Sequence, residues 1–336
     1  MCTKPRIVAQ NVIYDVTTKC LPELNVFGNN AFREFFLSEL RKTLQKYSYS
    51  LLGWSIVNNH FNLVLLSSHF SISTFMHRLD TVLAKHYNRI NKREGVVLKS
   101  RFSSVIVQGN KLKELIRHVH LNPVRSGECS LERLNTYKWS GHSEILGNKP
   151  DFLIDKDLLL SHFSGPDEIK VYEVFIKSYQ KNTCNSKFIS LLREAHKGRQ
   201  SFSNALSWII GDSSFIQHVL KKDRLRKLRL AQHADGSMTL QLLRKKVEEC
   251  MQLSDKDLFF QGRLDTKCRA RQLFTYIGKV VFNFSGKSMA DYLNVSNSAV
   301  SRMIWKGKSL KNREILISKI CPSIIRAEPQ ETVPVL

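Results

Sequence analysis

The sequence lacks any Cys-x-x-Cys pair. Its seven cysteines, Cys2, Cys20, Cys129, Cys184, Cys250, Cys268 and Cys321, are odd in number and scattered. That spacing excludes a zinc knuckle and a disulfide framework, and the thiols read as reduced. No uncharged apolar run approaches the ~18 residues that a membrane span needs. Met1 to Gln10 carries Lys4, Pro5 and Arg6 where a secretory segment would be apolar, so the expectation is a cytoplasmic, nucleoid-associated protein with no membrane partner. Repeats and low-complexity tracts are missing too. The last scarcity is of acid: 29 Asp and Glu stand against 52 Lys and Arg, a formal charge of +23. Such an excess calls for a polyanion, of which nucleic acid is the commonest. With 42% hydrophobic and 10% aromatic residues the chain can build packed cores, which excludes a wholly disordered basic tail.

At 336 residues the chain is long enough for two or three domains. Residues 1–150 alternate strand and helix signals. Ile7, Val8, Val12, Ile13, Tyr14 and Val16 form a β-rich stretch, and Phe32, Phe35, Phe36, Leu40 and Leu44 recur at helical spacing behind a cap at Asn29 or Asn30. Leu51 to Val57 and Phe61 to Leu66, split by Asn58-Asn59, predict a hairpin. A helix over Ile72 to Ile90, an extended segment over Val96 to Val107 and a helix over Lys111 to Leu121 complete a β-α-β-β-α-β-α order. The expected class is α+β, an antiparallel sheet with helices on one side, followed by all-α regions. Residues 151–236 read as a helical linker region broken at Gly165-Pro166 and Gly211-Asp212 and ending in the basic run Lys221, Lys222, Arg224, Arg226, Lys227 and Arg229. That run is either a solvated helix face or a contact to DNA phosphates. Residues 237–322 are helical, and 323–336 form a tail.

Ser288 to Trp305 predicts two helices joined by a turn over Asn294 to Ser296, with Ala290, Leu293, Val300 and Ile304 facing inward and Ser296 or Asn297 capping the second helix. Asn297, Ser298, Ser301 and Arg302 are left on the exposed start of that helix, where a helix-turn-helix meets base edges. With the preceding Arg263, Lys267, Arg269, Arg271, Leu273 and Tyr276, residues 254–308 resemble the carboxy-terminal DNA-binding domain of the replication initiator DnaA and its Trp-repressor-like relatives. The resemblance implies duplex DNA as ligand, with Arg269 and Arg271 among the contacts.

The first region carries Arg6-Ile7-Val8, Tyr14 to Thr18, Asn59-His60-Phe61-Asn62-Leu63, Arg101-Phe102 and Ile116 to Gly127 with its His-Leu-Asn-Pro-Val-Arg string, then Trp139-Ser140. In these motifs it resembles the single-tyrosine HUH transposases, specifically the REP-associated tyrosine transposase group, over about two-fifths of the chain. The resemblance implies a ferredoxin-like fold, a folded or hairpin single-stranded DNA ligand, two strand histidines holding Mg²⁺ or Mn²⁺, and a helix tyrosine that becomes covalently bound to a DNA 5′ end.

The chemical positions depart from that pattern. His60 matches the first metal histidine, Asn62 takes the place of the second, Lys99 stands where a glutamine is usual, and His118 occupies the nucleophile slot. His118 and His120 cannot chelate one ion from a helix, since residues two apart point about 200° from each other. His118 either pairs with Glu114 one turn earlier or attacks phosphorus itself. His60 either holds a metal or satisfies hydrogen bonds at the hairpin. Tyr87 reads as packing, outside the nucleophile slot. No cofactor is expected unless the active-family chemistry survives, in which case Mg²⁺ or Mn²⁺ is. The leading expectation is a transposase-family DNA-binding protein with lost or strongly reduced strand cleavage. His60, Lys99, Arg101, His118 and Arg125 would line the cleft, and a homodimer is one open form of assembly. An active nickase with an atypical nucleophile and a DNA-binding transcriptional regulator are the alternatives.

Overall fold

A computed structural model describes residues 6–68, 70–147, 153–178, 187–197, 208–234, 238–255, 257–259 and 265–320. Arg263, Cys2, Cys184, Cys321 and the 323–336 tail lie outside them, and the four described cysteines other than these are free thiols. Two compact units meet at Leu220/Lys221, each with its own apolar core.

The first unit runs β1 (Ile13–Lys19), α1 (Asn30–Tyr47), β2 (Ser50–Val57), β3 (His60–Leu66), α2 (Ile72–Ile90), β4 (Ser103–Val107) and α3 (Leu112–His120), in the expected order. Local chemistry sets the boundaries. The Asn29 side chain caps α1 by accepting from the Ala31 N–H, and Ser48 in the left-handed region ends it. Phe32, Phe36, Leu40 and Leu44 make its buried stripe. Asn58 and Asn59 close the β2–β3 hairpin with a two-residue turn, so His60 is paired with Val57 at the hairpin mouth. After α3 the chain makes one more helical turn, α4 (Asn122–Arg125), with Pro123 in the first turn, where no N–H is missed.

Strand order is β2-β3-β1-β4, antiparallel throughout, with a two-residue β5 (Ile209–Ile210) added parallel to β4. The fold is therefore α+β. Register assigns the faces. Thr18 is opposite Phe61, and on that side Phe36 of α1 packs against Phe61 while Thr18 donates to Asp80 of α2 at 3.4 Å. Asp15 is opposite Val64, which is opposite Gly53, and a Cβ on Gly53 would collide with Ile116 of α3. Helices thus stand on both faces of the sheet, one layer more than the sequence pattern indicates, because α3 needs an apolar seat for its fully buried Leu115, Ile116 and Val119.

The stretch after α4 folds as α5 (Gly141–Ile145), α6 (Lys156–Leu160), α7 (Glu168–Lys177), α8 (Lys187–Lys197), β5 and α9 (Ser213–Ala234). Its Phe163, Tyr172, Ile176, Phe188, Leu192, Trp208 and Phe215 join the same core as the strands. Each such burial contributes about 1.5–3 kcal/mol. The unit boundary falls within α9, which carries the basic run.

The second unit contains α10 (Leu240–Cys250), α11 (Asp265–Tyr276) with a wider turn over Ile277–Val281, α12 (Gly286–Leu293), α13 (Asn297–Lys308) and α14 (Arg313–Ile320). Leu243, Val247, Leu273, Phe274, Ile277, Met289, Leu293 and Val300 form its core. Asn294 ends α12 in the left-handed region and the Ser296 hydroxyl caps α13 from the Ala299 N–H. Gly307 lets α13 lie against α11: a Cβ there would strike the Gln272 carbonyl.

Candidate nucleic-acid interface

The α3 face of the sheet carries a polar row where a core would be apolar. Ser103 of β4 is opposite Thr17 of β1, Thr17 is opposite Asn62 of β3, and Asn62 is opposite Ser55 of β2. Directly opposed residues share a face, so four strands present four polar side chains in one line. His60 and Lys19 form the next pair toward the hairpin mouth.

Asn122, at the start of α4, closes over this row. Its Nδ2 donates to His60 Nε2 at 3.0 Å and to Asn62 Oδ1 at 3.0 Å, which uses both amide protons. Ser55 Oγ lies at 3.5 Å from the same nitrogen. Asn62 Nδ2 in turn donates to Thr17 Oγ1 at 2.6 Å, and Arg125 Nη2 reaches Asn122 Oδ1 at 3.4 Å. His60 Nδ1 lies 2.9 Å from Asn59 Oδ1, an oxygen that can only accept, so Nδ1 holds the proton and Nε2 is a bare lone pair. Burial, then the charge of Lys19, holds the His60 pKa down to about 4. Its imidazole is neutral at physiological pH.

The hairpin that presents His60 is braced from behind. Arg33 of α1, almost fully buried, makes a 3.0 Å ion pair with Glu128 and donates to Asn58 Oδ1 at 2.9 Å. Tyr137 Oη donates to Glu128 Oε2 at 2.7 Å, and the other Glu128 oxygen accepts from the Asn58 N–H. Tyr87 donates to the Leu24 carbonyl at 2.7 Å and sets its ring edge against Phe32, a packing role as expected.

His118 is half-buried on α3. Its pKa lies well below the ordinary histidine value, through burial first and then the positive charges of Arg125 and Arg193. Glu114, the expected partner, is 3.7 Å from Lys111. His120 points the other way, fully buried, with Nδ1 2.8 Å from Tyr172 Oη, whose oxygen also meets His142 Nδ1 at 2.7 Å. The two histidines of the His-Val-His string therefore face different surroundings, as helix geometry requires. Lys99 is exposed, and its N–H donates to the Lys19 carbonyl at 2.9 Å, which fixes its backbone beside the His60 row. Arg101 is exposed just before the buried Phe102.

No family model and no curated protein matches this chain. Among solved structures, a REP-associated tyrosine transposase bound to a REP hairpin is a distant neighbour at 12% identity and a TM-score of 0.37, over 46% of this chain and 93% of that one.

In the second unit, Asn297, Ser298, Ser301 and Arg302 are all exposed on the first turns of α13. Ser301 Oγ donates to the Asn297 carbonyl at 3.1 Å, and Ser298 Oγ lies 2.9 Å from Ser296 Oγ. Arg269 and Arg271 are half-buried on α11. Trp305, 62% exposed, and Lys306 extend the α13 surface by one more turn, which the sequence reading did not include. Its signal was available: Trp305 follows Arg302 by three residues and Ser301 by four, one helical face.

Sequence reading also missed Asn122 as a site residue, together with Asp15, Ser103 and His196. His196 Nε2 lies 2.8 Å from Asp15 Oδ2 and its Nδ1 lies 2.7 Å from Ser103 Oγ. Among the described residues, no group of three His, Cys, Asp or Glu side chains is arranged to hold a metal, and no helix is long and apolar enough to cross a membrane.

Proposed function

We propose that this protein binds DNA through a transposase-type first unit whose metal-and-tyrosine cleavage chemistry has been dismantled, and through a helix-turn-helix, α12 to α13, in the second. One observation carries the loss of cleavage: the Asn122 amide stands between His60 Nε2 and Asn62 Oδ1 and donates to both lone pairs a metal would need. The remaining donor set is one imidazole and one neutral amide oxygen, with the positive charge of Lys19 and Arg125 acting on His60. Glu128, an acid acting on that ring, is committed to Arg33. With one of the two expected histidines replaced by an amide, no free carboxylate and cations beside the ring, such a set does not fit Mg²⁺ or Mn²⁺. In the nucleophile slot stands His118, a neutral ring with a depressed pKa in place of a phenol.

DNA binding needs none of that chemistry. Phosphates are held by Lys and Arg, and a chain of +23 has them in excess. The first unit would take hairpin or single-stranded DNA along the row from His60 and Lys99 to Arg101, His118 and Arg125. The second would set Asn297, Ser298, Ser301 and Arg302 against duplex DNA, with Arg269 and Arg271 on phosphates.

The test is a labelled hairpin and a labelled duplex, each titrated with the full chain at several salt concentrations, with EDTA or Mn²⁺. Binding to both with steep salt dependence, unchanged by EDTA, and no Mn²⁺-dependent covalent adduct on a denaturing gel is the expected result. A Mn²⁺-dependent adduct that disappears in His118→Ala would overturn the loss of cleavage, and absence of binding to either DNA would overturn the reading itself.

A further inference from the structure

We propose that Ser103, His196 and Asp15 form a second chemical centre in the first unit, a serine nucleophile with a histidine base, whose substrate is a phosphoryl ester of the nucleic acid held on that face. The substrate class rests on the DNA-binding reading of the first unit; the three-residue relay does not.

Three distant segments converge to build it: β1, β4 and α8, residues 15, 103 and 196. Asp15 is 1% exposed on an inner strand. Its Oδ2 lies 2.8 Å from His196 Nε2, while Oδ1 is buried with no hydrogen-bond partner. A carboxylate accepts only, so His196 Nε2 must carry the ring proton and Nδ1 must be the bare lone pair. That lone pair is 2.7 Å from Ser103 Oγ, the distance of a strong hydroxyl-to-imidazole bond. The hydroxyl has one other acceptor, the His196 carbonyl at 3.4 Å, which is much the poorer. An acid orients a base, and the base addresses a hydroxyl: roles, not sequence order, define such a relay.

Burial also separates the parts as chemistry requires. Asp15 is sealed, His196 is 19% exposed at its side chain, and Ser103 is half-buried at the start of β4. Nearby charge selects the substrate. Arg193 is exposed on α8 one turn before His196, on the same helix face, and Arg101 is exposed two residues before Ser103. Arg125 and Arg193 both act electrostatically on His118, so these two cations share one region. An anionic phosphoryl group fits there better than a neutral acyl group.

The step balances without metal. Ser103 Oγ attacks phosphorus and its proton passes to His196 Nδ1, with Nε2–H still donated to Asp15. The new Oγ–P bond forms as one P–O ester bond breaks, and the departing oxygen takes the proton from Nδ1. Water then repeats the sequence: its proton goes to Nδ1, its oxygen bonds phosphorus, the Oγ–P bond breaks, and Ser103 recovers the proton. The net change is hydrolysis of one ester.

The probe is an alkyl fluorophosphonate applied to the full chain in EDTA, with the adduct located by peptide mass spectrometry and melting and hairpin binding measured alongside. Labelling at Ser103 is expected, with fluoride released, and none in Ser103→Ala. Loss of the histidine base in His196→Ala should slow labelling by about 10²-fold or more. Asp15 acts through His196 as a positioning residue, so Asp15→Asn should also slow labelling while melting and hairpin binding stay unchanged, a split that a merely structural carboxylate would not give. A folded protein that is not labelled, is labelled elsewhere, or is labelled equally in His196→Ala overturns the proposal. If labelling holds while hairpin binding is absent, the relay stands and the nucleic-acid substrate falls; if hairpin binding holds without labelling, only the relay falls.

Discussion

The two units hold their candidate residues in opposite ways. In the first, His60, Asn62, Asn122 and Thr17 are drawn into one hydrogen-bonded chain on a sheet face, and every short bond in it is internal. In the second, Asn297, Ser298, Ser301 and Arg302 stand exposed on a capped helix whose opposite side is core. A site built from internal bonds is rigid and costly to disturb, since each removed partner strands a buried group. A site built from exposed side chains on a helix can be edited with little loss of fold. The first unit should therefore answer mutation through stability and the second through binding.

The largest effect expected is at the hairpin brace. Arg33→Ala leaves Glu128 without its cation in surroundings where the pair is only 6% and 12% exposed, and removal of one partner of a buried pair costs about 3–5 kcal/mol. For a unit of this size that lowers Tm by on the order of 10 °C. Thermal unfolding followed by calorimetry checks it, and a shift under about 2 °C would remove the contrast between the units at its strongest point.

Acid should act on the first unit with comparable force. His60 and His142 are each held down to about 4 by burial, with His118 and His120 also well below the ordinary value. A histidine whose folded pKa is depressed contributes stability that is whole above about 6.5 and is lost as pH falls toward 4, on the order of 3 kcal/mol for each of the first two. Asp80 opposes this. Burial raises its carboxyl to about 7, so its contribution is present at low pH and fades as pH rises from about 4 to 7. Denaturant unfolding from pH 7 to 4.5 should show net loss. His142→Gln should flatten that slope and Asp80→Asn should steepen it; the reverse order would mean that other groups govern acid stability.

Much of the first unit was legible because its signals are local. The β-α-β-β-α-β-α order, the Asn29 cap, the Asn58-Asn59 turn and the span of α2 all follow from neighbouring residues. Motif spacing also led to His60, Asn62 and His118. What could not be read was long-range convergence: Asn122 over His60, Arg33 under Glu128, and His196 joining Asp15 and Ser103 are 62, 95, 181 and 93 residues apart. A hint did exist, since Asn62 and Ser55 interrupt mainly apolar strands, but only register aligns them with Thr17 and Ser103. The two-residue β5 gave no period to detect, and α8 on the second face follows from tertiary burial of Phe188 and Leu192. In the second unit the turn over Asn294 to Ser296 was legible for the same local reason as the first unit's caps.

Binding should discriminate the units more gently. Arg302→Ala removes an exposed cation from α13, so duplex affinity should fall by about 1–3 kcal/mol if it reads a base, with a lower salt slope instead if it meets a phosphate. Hairpin affinity should stay unchanged. Equal loss on both DNAs would mean that the units do not divide the ligands.

The smallest effect is the most local. Ser296 caps α13 by accepting from the Ala299 N–H at 3.1 Å, and that helix carries all four exposed candidates. Ser296→Ala strands one of the helix's first donors and costs about 1 kcal/mol. Because Val300 and Gly307 still anchor the far side, the helix frays at its start without leaving the core. Amide exchange should quicken at Ala299 and its neighbours while the α2 and β3 amides are unmoved. Duplex affinity should fall by no more than the cap's own free energy, since binding must restore the frayed turn before Asn297 and Ser298 can be presented. A fall several-fold beyond that would mean that Ser296 itself touches DNA, and no fall would mean that DNA is read from Ser301 onward.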